Sequence, residues 1–138
     1  MPARDRFHNQ VRNALIQDGW TITHDPLRLR WGAKDMFVDL GAERLLAAEK
    51  GQRKIAVEIK SFVGLSEMAD LEQAVGQYLV YHDVLSRVEP DRELFLAVTV
   101  AVFADLFEEP IGRILLENRR LRLIVFDPQA EVIQQWIP

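Results

Sequence analysis

The pattern of apolar and polar residues predicts an α/β (α+β) domain, a β-sheet flanked by helices, and three observations carry that prediction. Leu94–Val100 is a continuous apolar run of strand length, the look of a strand covered on both faces. Two stretches with helical periodicity lie upstream of it, residues 3–18 and Ser66 to about Leu85. Short alternating segments broken by Gly, Pro and Asp fill residues 20–62 and 121–137.

Each element follows from local pattern. In residues 3–18, Phe7, Val11, Ala14 and Leu15 share one helical face, and Asp18-Gly19 supplies the stop. Trp20–Thr23 alternates as a strand that His24-Asp25-Pro26 should end, and Leu27–Trp31 alternates again before Gly32. Met36–Leu40 leads to Arg44–Glu49, and Lys50-Gly51-Gln52 turns the chain back into a strand over Arg53–Phe62. Ser66 is placed as an N-cap with acids in the turn that follows. The helix after it has Met68, Leu71, Val75 and Leu79 as its expected apolar stripe, with Gln73, Gln77 and Tyr81 as a polar stripe beside it. Residues 102–118 read as helix interrupted by Pro110. Leu121–Phe126 and Glu131–Ile137 read as a closing pair of strands. With no repeat or linker, residues 1–138 read as one domain.

Composition narrows the function classes. The chain has 138 residues, 49% hydrophobic and 28% charged, which suits a packed globular core. It has no cysteine, which excludes disulfides, thiolate metal sites and cysteine nucleophiles. The three histidines, His8, His24 and His82, are too scattered to suggest a zinc site, and His8 reads as a surface helix residue. No apolar run reaches the ~20 residues of a membrane span, and the first residues lack a signal-peptide core, so a cytoplasmic protein is expected. Net charge is −4, unfavourable for broad nucleic-acid binding. The first 34 residues nevertheless hold six bases against three acids, +3, which leaves −7 for the remainder.

One strand carries a constellation with chemistry. In Lys54–Lys60, the period of two puts Ile55, Val57 and Ile59 on one face and Ala56, Glu58 and Lys60 on the other. Glu58 and Lys60 are then neighbours roughly 7 Å apart. A carboxylate there can ligate a hard divalent cation, and an ammonium beside it can orient a water and stabilise charge on a phosphate. Taken alone, the same tripeptide is better explained by a solvated ion pair, since such tripeptides are common, and the upstream acid is what shifts the balance. Asp39, flanked by apolar residues and Gly41, is the favoured second ligand, with Glu43 as its competitor. The turn at Lys50-Gly51-Gln52 could fold either acid back beside Glu58. Gln77 could contact a phosphate or hold the water network. No glycine pattern of a nucleotide-binding loop occurs.

An acid ahead of a strand bearing Glu58-x-Lys60, in the order helix, meander, helix, strand, resembles the PD-(D/E)xK nuclease superfamily. Gln77-x-x-x-Tyr81 resembles the helix motif of its RecB-like branch, although Val38 stands where the motif has proline. Closer still, Arg4-Asp5-x-Phe7-His8, Asp18–Pro26, Asp39–Glu43, Ala56–Phe62, Asp70–Ala74, Gly76–Tyr78 and Phe126–Pro128 resemble the XisH family over nearly the whole chain. The resemblance implies a restriction-endonuclease-like core, a central mixed β-sheet flanked by helices. It implies a cyanobacterial factor controlling excision of the fdxN element, acting beside a site-specific recombinase. It also implies Asp39, Glu58 and Lys60 in the motif positions with Mg²⁺ or Mn²⁺. DNA and a small XisI-type protein are the expected partners, and a homodimer is open.

Overall fold

The computed structural model describes residues 6–35 and 45–138. Helix α1 (His8–Gln17) buries Val11, Ala14 and Leu15, and Gly19 follows it at φ +95°, a conformation that favours glycine. Strand β1 (Thr21–Leu27) runs on through His24-Asp25-Pro26, where a stop was expected. Proline is tolerated because β1 is an edge strand, and its pairing slips between Ile22 and His24 and again between His24 and Leu27. The alternation of residues 27–31 yields only β2 (Arg30–Trp31), which pairs with β3 (Lys34–Asp35) in a separate ribbon.

Strands β4 (Leu45–Lys50) and β5 (Arg53–Ile59) form the expected hairpin through Gly51, at φ +60°. Helix α2 (Glu67–Val88) starts on the Ser66 hydroxyl, which accepts from the Ala69 amide at 3.1 Å. Strand β6 (Arg92–Thr99) follows. Helix α3 then turns through Val100–Val102 into a π-helical segment, Phe103–Phe107, and α4 (Pro110–Glu117) begins with proline in its first turn. Strands β7 (Leu123–Asp127) and β8 (Val132–Ile137) close the fold as an antiparallel pair.

The main sheet has the order β1-β4-β5-β6-β7-β8, with β5, β6 and β7 parallel and the remaining pairs antiparallel. It is therefore mixed, as expected. Its parallel strands are apolar on both faces because both faces are covered. On one face, Ala47, Ala56, Leu96 and Val125 pack under α2 and α3. On the other, Leu46, Val57, Phe95 and Ile124 pack under α1 with Trp20. Both parallel crossovers contribute to the first face, as they must when successive strands step one way and each crossover keeps the same hand.

Helix α2 is rotated from its expected seat. Its buried face is Leu71, Ala74, Tyr78, Tyr81, Val84 and Leu85, while Met68 is 44% and Leu79 46% exposed. The two tyrosines count as core here, so Tyr81 leaves the polar stripe and the apolar ridge shifts by about a third of a turn. Among the described residues, no helix is long and apolar enough to cross a membrane.

Candidate functional site

Strand β5 pairs antiparallel with β4 on one side and parallel with β6 on the other. The chain leaves β5 at its C-terminal end and returns through α2 to β6. Glu58 stands at this end of β5, with Leu45 and Leu96 as its Cα partners on the two flanks. Its side chain is 1% exposed, on the face covered by α2. The solvated ion-pair explanation of Glu58-x-Lys60 therefore fails for the acid, since burying a carboxylate costs several kcal/mol unless a neighbour compensates it.

Lys60 follows directly after the strand, its amide donating to the Ala97 carbonyl at 3.2 Å. Its Nζ donates to Gln73 Oε1 at 3.2 Å, so the first half of α2 holds the cation beside the end of β5. The alternation that placed Glu58 and Lys60 on one face is observed. Gln77, one turn further along α2, is half-buried, and the amide that reaches Lys60 is Gln73. Gln73 stood on the same polar stripe, but spacing alone could not say which turn of the helix faces the strand end.

The connection from β5 to α2 is built tightly. Phe62 adopts φ +57°, a left-handed conformation costing roughly 1–2 kcal/mol for a side chain of this size. Its ring meets Phe107 edge-on with centroids 6.3 Å apart. The Gly64 amide donates to Asp70 Oδ2 at 2.9 Å, and a Cβ at Gly64 would lie 2.6 Å from the other oxygen of that carboxylate. The path from Lys60 to the N-cap of α2 thus has little freedom.

Asp39 and Glu43 lie outside the described residues. The chain resumes at Leu45, the Cα partner of Glu58. Among the described residues, no group of three or more His, Asp or Glu side chains is gathered for a metal. Of the acids expected as ligands, Glu58 is the one among the described residues, and its hard oxygens suit Mg²⁺ or Mn²⁺.

A second charged cluster went unread in the sequence. His8, expected on the surface, is 3% exposed, and its Nε2 lies 2.9 Å from Asp25 Oδ1. Arg12 donates to Asp25 Oδ2 at 2.6 Å. The spacing of His8 and Arg12, one helical turn apart, was the available signal. Their partner on a strand was not.

The fold and this strand end define a class: a mixed α/β protein with a buried acid and a tethered lysine at the C-terminal end of a central strand. Comparison with known proteins gives the particular family. The model of the XisH protein family matches residues 1–134. An XisH family protein from Nostoc punctiforme PCC 73102 is similar in structure, with a TM-score of 0.88 and 36% identity over 97% of this chain and 100% of that one. A fdxN element excision controlling factor protein from Anabaena variabilis is similar too, with a TM-score of 0.88 and 38% identity over 98% and 100%. The curated proteins contain no match. This chain belongs to the XisH family.

Proposed function

We propose that this protein is an endonuclease-like factor in site-specific DNA excision or rearrangement, with a PD-(D/E)xK centre formed by Asp39, Glu58 and Lys60. The observation that carries this reading is the pairing of a 1% exposed Glu58 with a lysine held by Gln73 at the end of a central strand. The relative from Anabaena variabilis is named an excision controlling factor, which supports a role in DNA rearrangement.

Glu58 and Asp39, with Glu43 as the alternative, would hold Mg²⁺ or Mn²⁺. When bound, the cation offsets phosphate charge and makes water a better nucleophile. The ammonium of Lys60 orients the attacking water and donates to the phosphate oxygen on which charge develops. Gln73 holds that ammonium in place, and Gln77 lines the same helix face one turn on. The burial of Glu58 keeps competing water from the carboxylate.

Nicking of supercoiled plasmid in Mn²⁺ tests the proposal. Wild type should nick, while Lys60→Ala and Glu58→Gln should each lose about a hundredfold or more. Equal rates in all three would sink it. Mn²⁺ should also raise the melting temperature of wild type but not of Glu58→Gln. A second reading is a non-catalytic accessory factor that controls a recombinase by binding DNA or an XisI-type partner, and the net charge of −4 favours the protein partner over DNA. Tight DNA or partner binding without nicking by wild type would select it.

A further inference from the structure

At the opposite end of the sheet from Glu58, the segment joining α4 to β7 forms one wall of a groove of about 670 Å³, with α2 as the other. Arg119, Arg120 and Arg122 line it, facing His82 and the single lining aspartate, Asp83, on α2, so cations outnumber acids in its wall. Arg122 pairs with Glu93, but Arg119 and Arg120 are exposed and have no ion pair among the described residues. The end of α4 accounts for part of this charge, since cations suit a helix C-terminus. It does not account for Arg119 itself, which occupies φ +57° just past the helix, where glycine would be unstrained.

The groove is also apolar. Leu79, 46% exposed, lines it with Leu116 and Ile137. Leu79 was expected in the core and is instead turned outward by the rotation of α2. A phosphodiester backbone would satisfy the arginines but leave this floor wet. A segment carrying both apolar and acidic side chains satisfies both, as in helix-in-groove recognition. We propose that this groove docks an amphipathic, acidic helical segment of a partner protein, its apolar side chains over Leu79 and its carboxylates on Arg119 and Arg120. The charge contrast fits: a local cluster of cations stands on a chain of net charge −4, which would repel an acidic partner elsewhere.

The test uses the full chain and a fluorescent synthetic helix of about 16 residues, with leucines at i, i+4 and i+7 and glutamates flanking them. Fluorescence anisotropy should show binding that weakens roughly tenfold in the double variant Arg119→Glu/Arg120→Glu and in Leu79→Ser. A control peptide with serine for each leucine should not bind. Because all three positions are exposed, circular dichroism should show these variants folded. The same charge reversal should leave affinity for a short DNA duplex unchanged. The proposal is overturned if wild type ignores the acidic helix. It is equally overturned if the duplex, not the helix, loses affinity on charge reversal, which would make the groove a phosphate tract. Plasmid nicking by the double variant is read in parallel, so a failure here is distinguishable from a failure of the nuclease reading.

Discussion

Tyr78 ties α2 to β6 and to the residue that precedes β7 through one hydroxyl. That group donates to the Leu94 carbonyl at 2.9 Å and accepts from the Arg122 amide at 3.2 Å. Burial pushes its pKa from 10.0 up to about 12, opposed by the backbone hydrogen bond and charge of Arg122 and reinforced by Glu58 and Glu93. The tyrosine is protonated in both folded and unfolded chains below pH 10, so its stabilisation is complete there. Between pH 10 and 12 the unfolded chain ionises first, and stability should fall by about 1.4 kcal/mol per pH unit. Tyr78→Phe should cost about 1–3 kcal/mol at pH 7 and remove this component of the alkaline decline. Urea unfolding of both proteins at pH 7 and pH 11 checks this, and a constant difference between them would refute it. At the other charged cluster, Asp25→Asn should cost about 3 kcal/mol by the same measurement, because it leaves a buried His8 and the Arg12 guanidinium uncompensated.

At the scale of elements, α3 and α4 meet more closely than most side chains allow. A Cβ added at Gly112 would lie 2.3 Å from the Leu106 carbonyl oxygen and 2.4 Å from the Phe107 Cα. Both contacts are backbone, so neither can swing aside. Gly112→Ala should therefore destabilise the protein by about 1–3 kcal/mol, although alanine is the better helix former by up to ~1 kcal/mol. Thermal unfolding measures the balance, and a raised midpoint would show that the helices separate freely. Helix α2 teaches a related point. A periodic apolar ridge can be drawn through Met68, Leu71, Val75 and Leu79 or through Leu71, Ala74, Tyr78, Tyr81 and Leu85. The second wins because it buries two aromatic rings and gives the Tyr78 hydroxyl its partners.

On the scale of the whole molecule, the sheet separates two cores. Leu15 belongs to the core under α1 and Leu85 to the core under α2. Leu15→Ala and Leu85→Ala should each cost about 2–5 kcal/mol, and their effects should add within roughly 0.5 kcal/mol because the sheet lies between them. A double-mutant cycle by urea unfolding tests this, and strong non-additivity would mean the two faces repack together. The same layering explains the placement of function. Both helical crossovers pack on one face, so the strand ends on that face are where loops can gather polar groups.

Glu58 and Lys60 were legible from the sequence as same-face neighbours, because the period of a strand is local and needs no partner. The β4–β5 hairpin, the Ser66 cap and the closing pair of strands were legible for the same reason: turns and caps are specified by a few adjacent residues. The parallel order of β5, β6 and β7, the rotation of α2, the bond from Gln73 to Lys60 and the burial of His8 on Asp25 were not. Each depends on a contact between segments distant in the chain, and periodicity says which residues share a face but not what that face will meet. The sequence by itself determined the main helices, the β4–β5 and β7–β8 pairs and the acid–lysine pair, but not the run of β1 through Pro26. Only the tertiary structure decided that the acid is buried, which amide holds the lysine, and that three arginines share a groove with an outward-turned leucine.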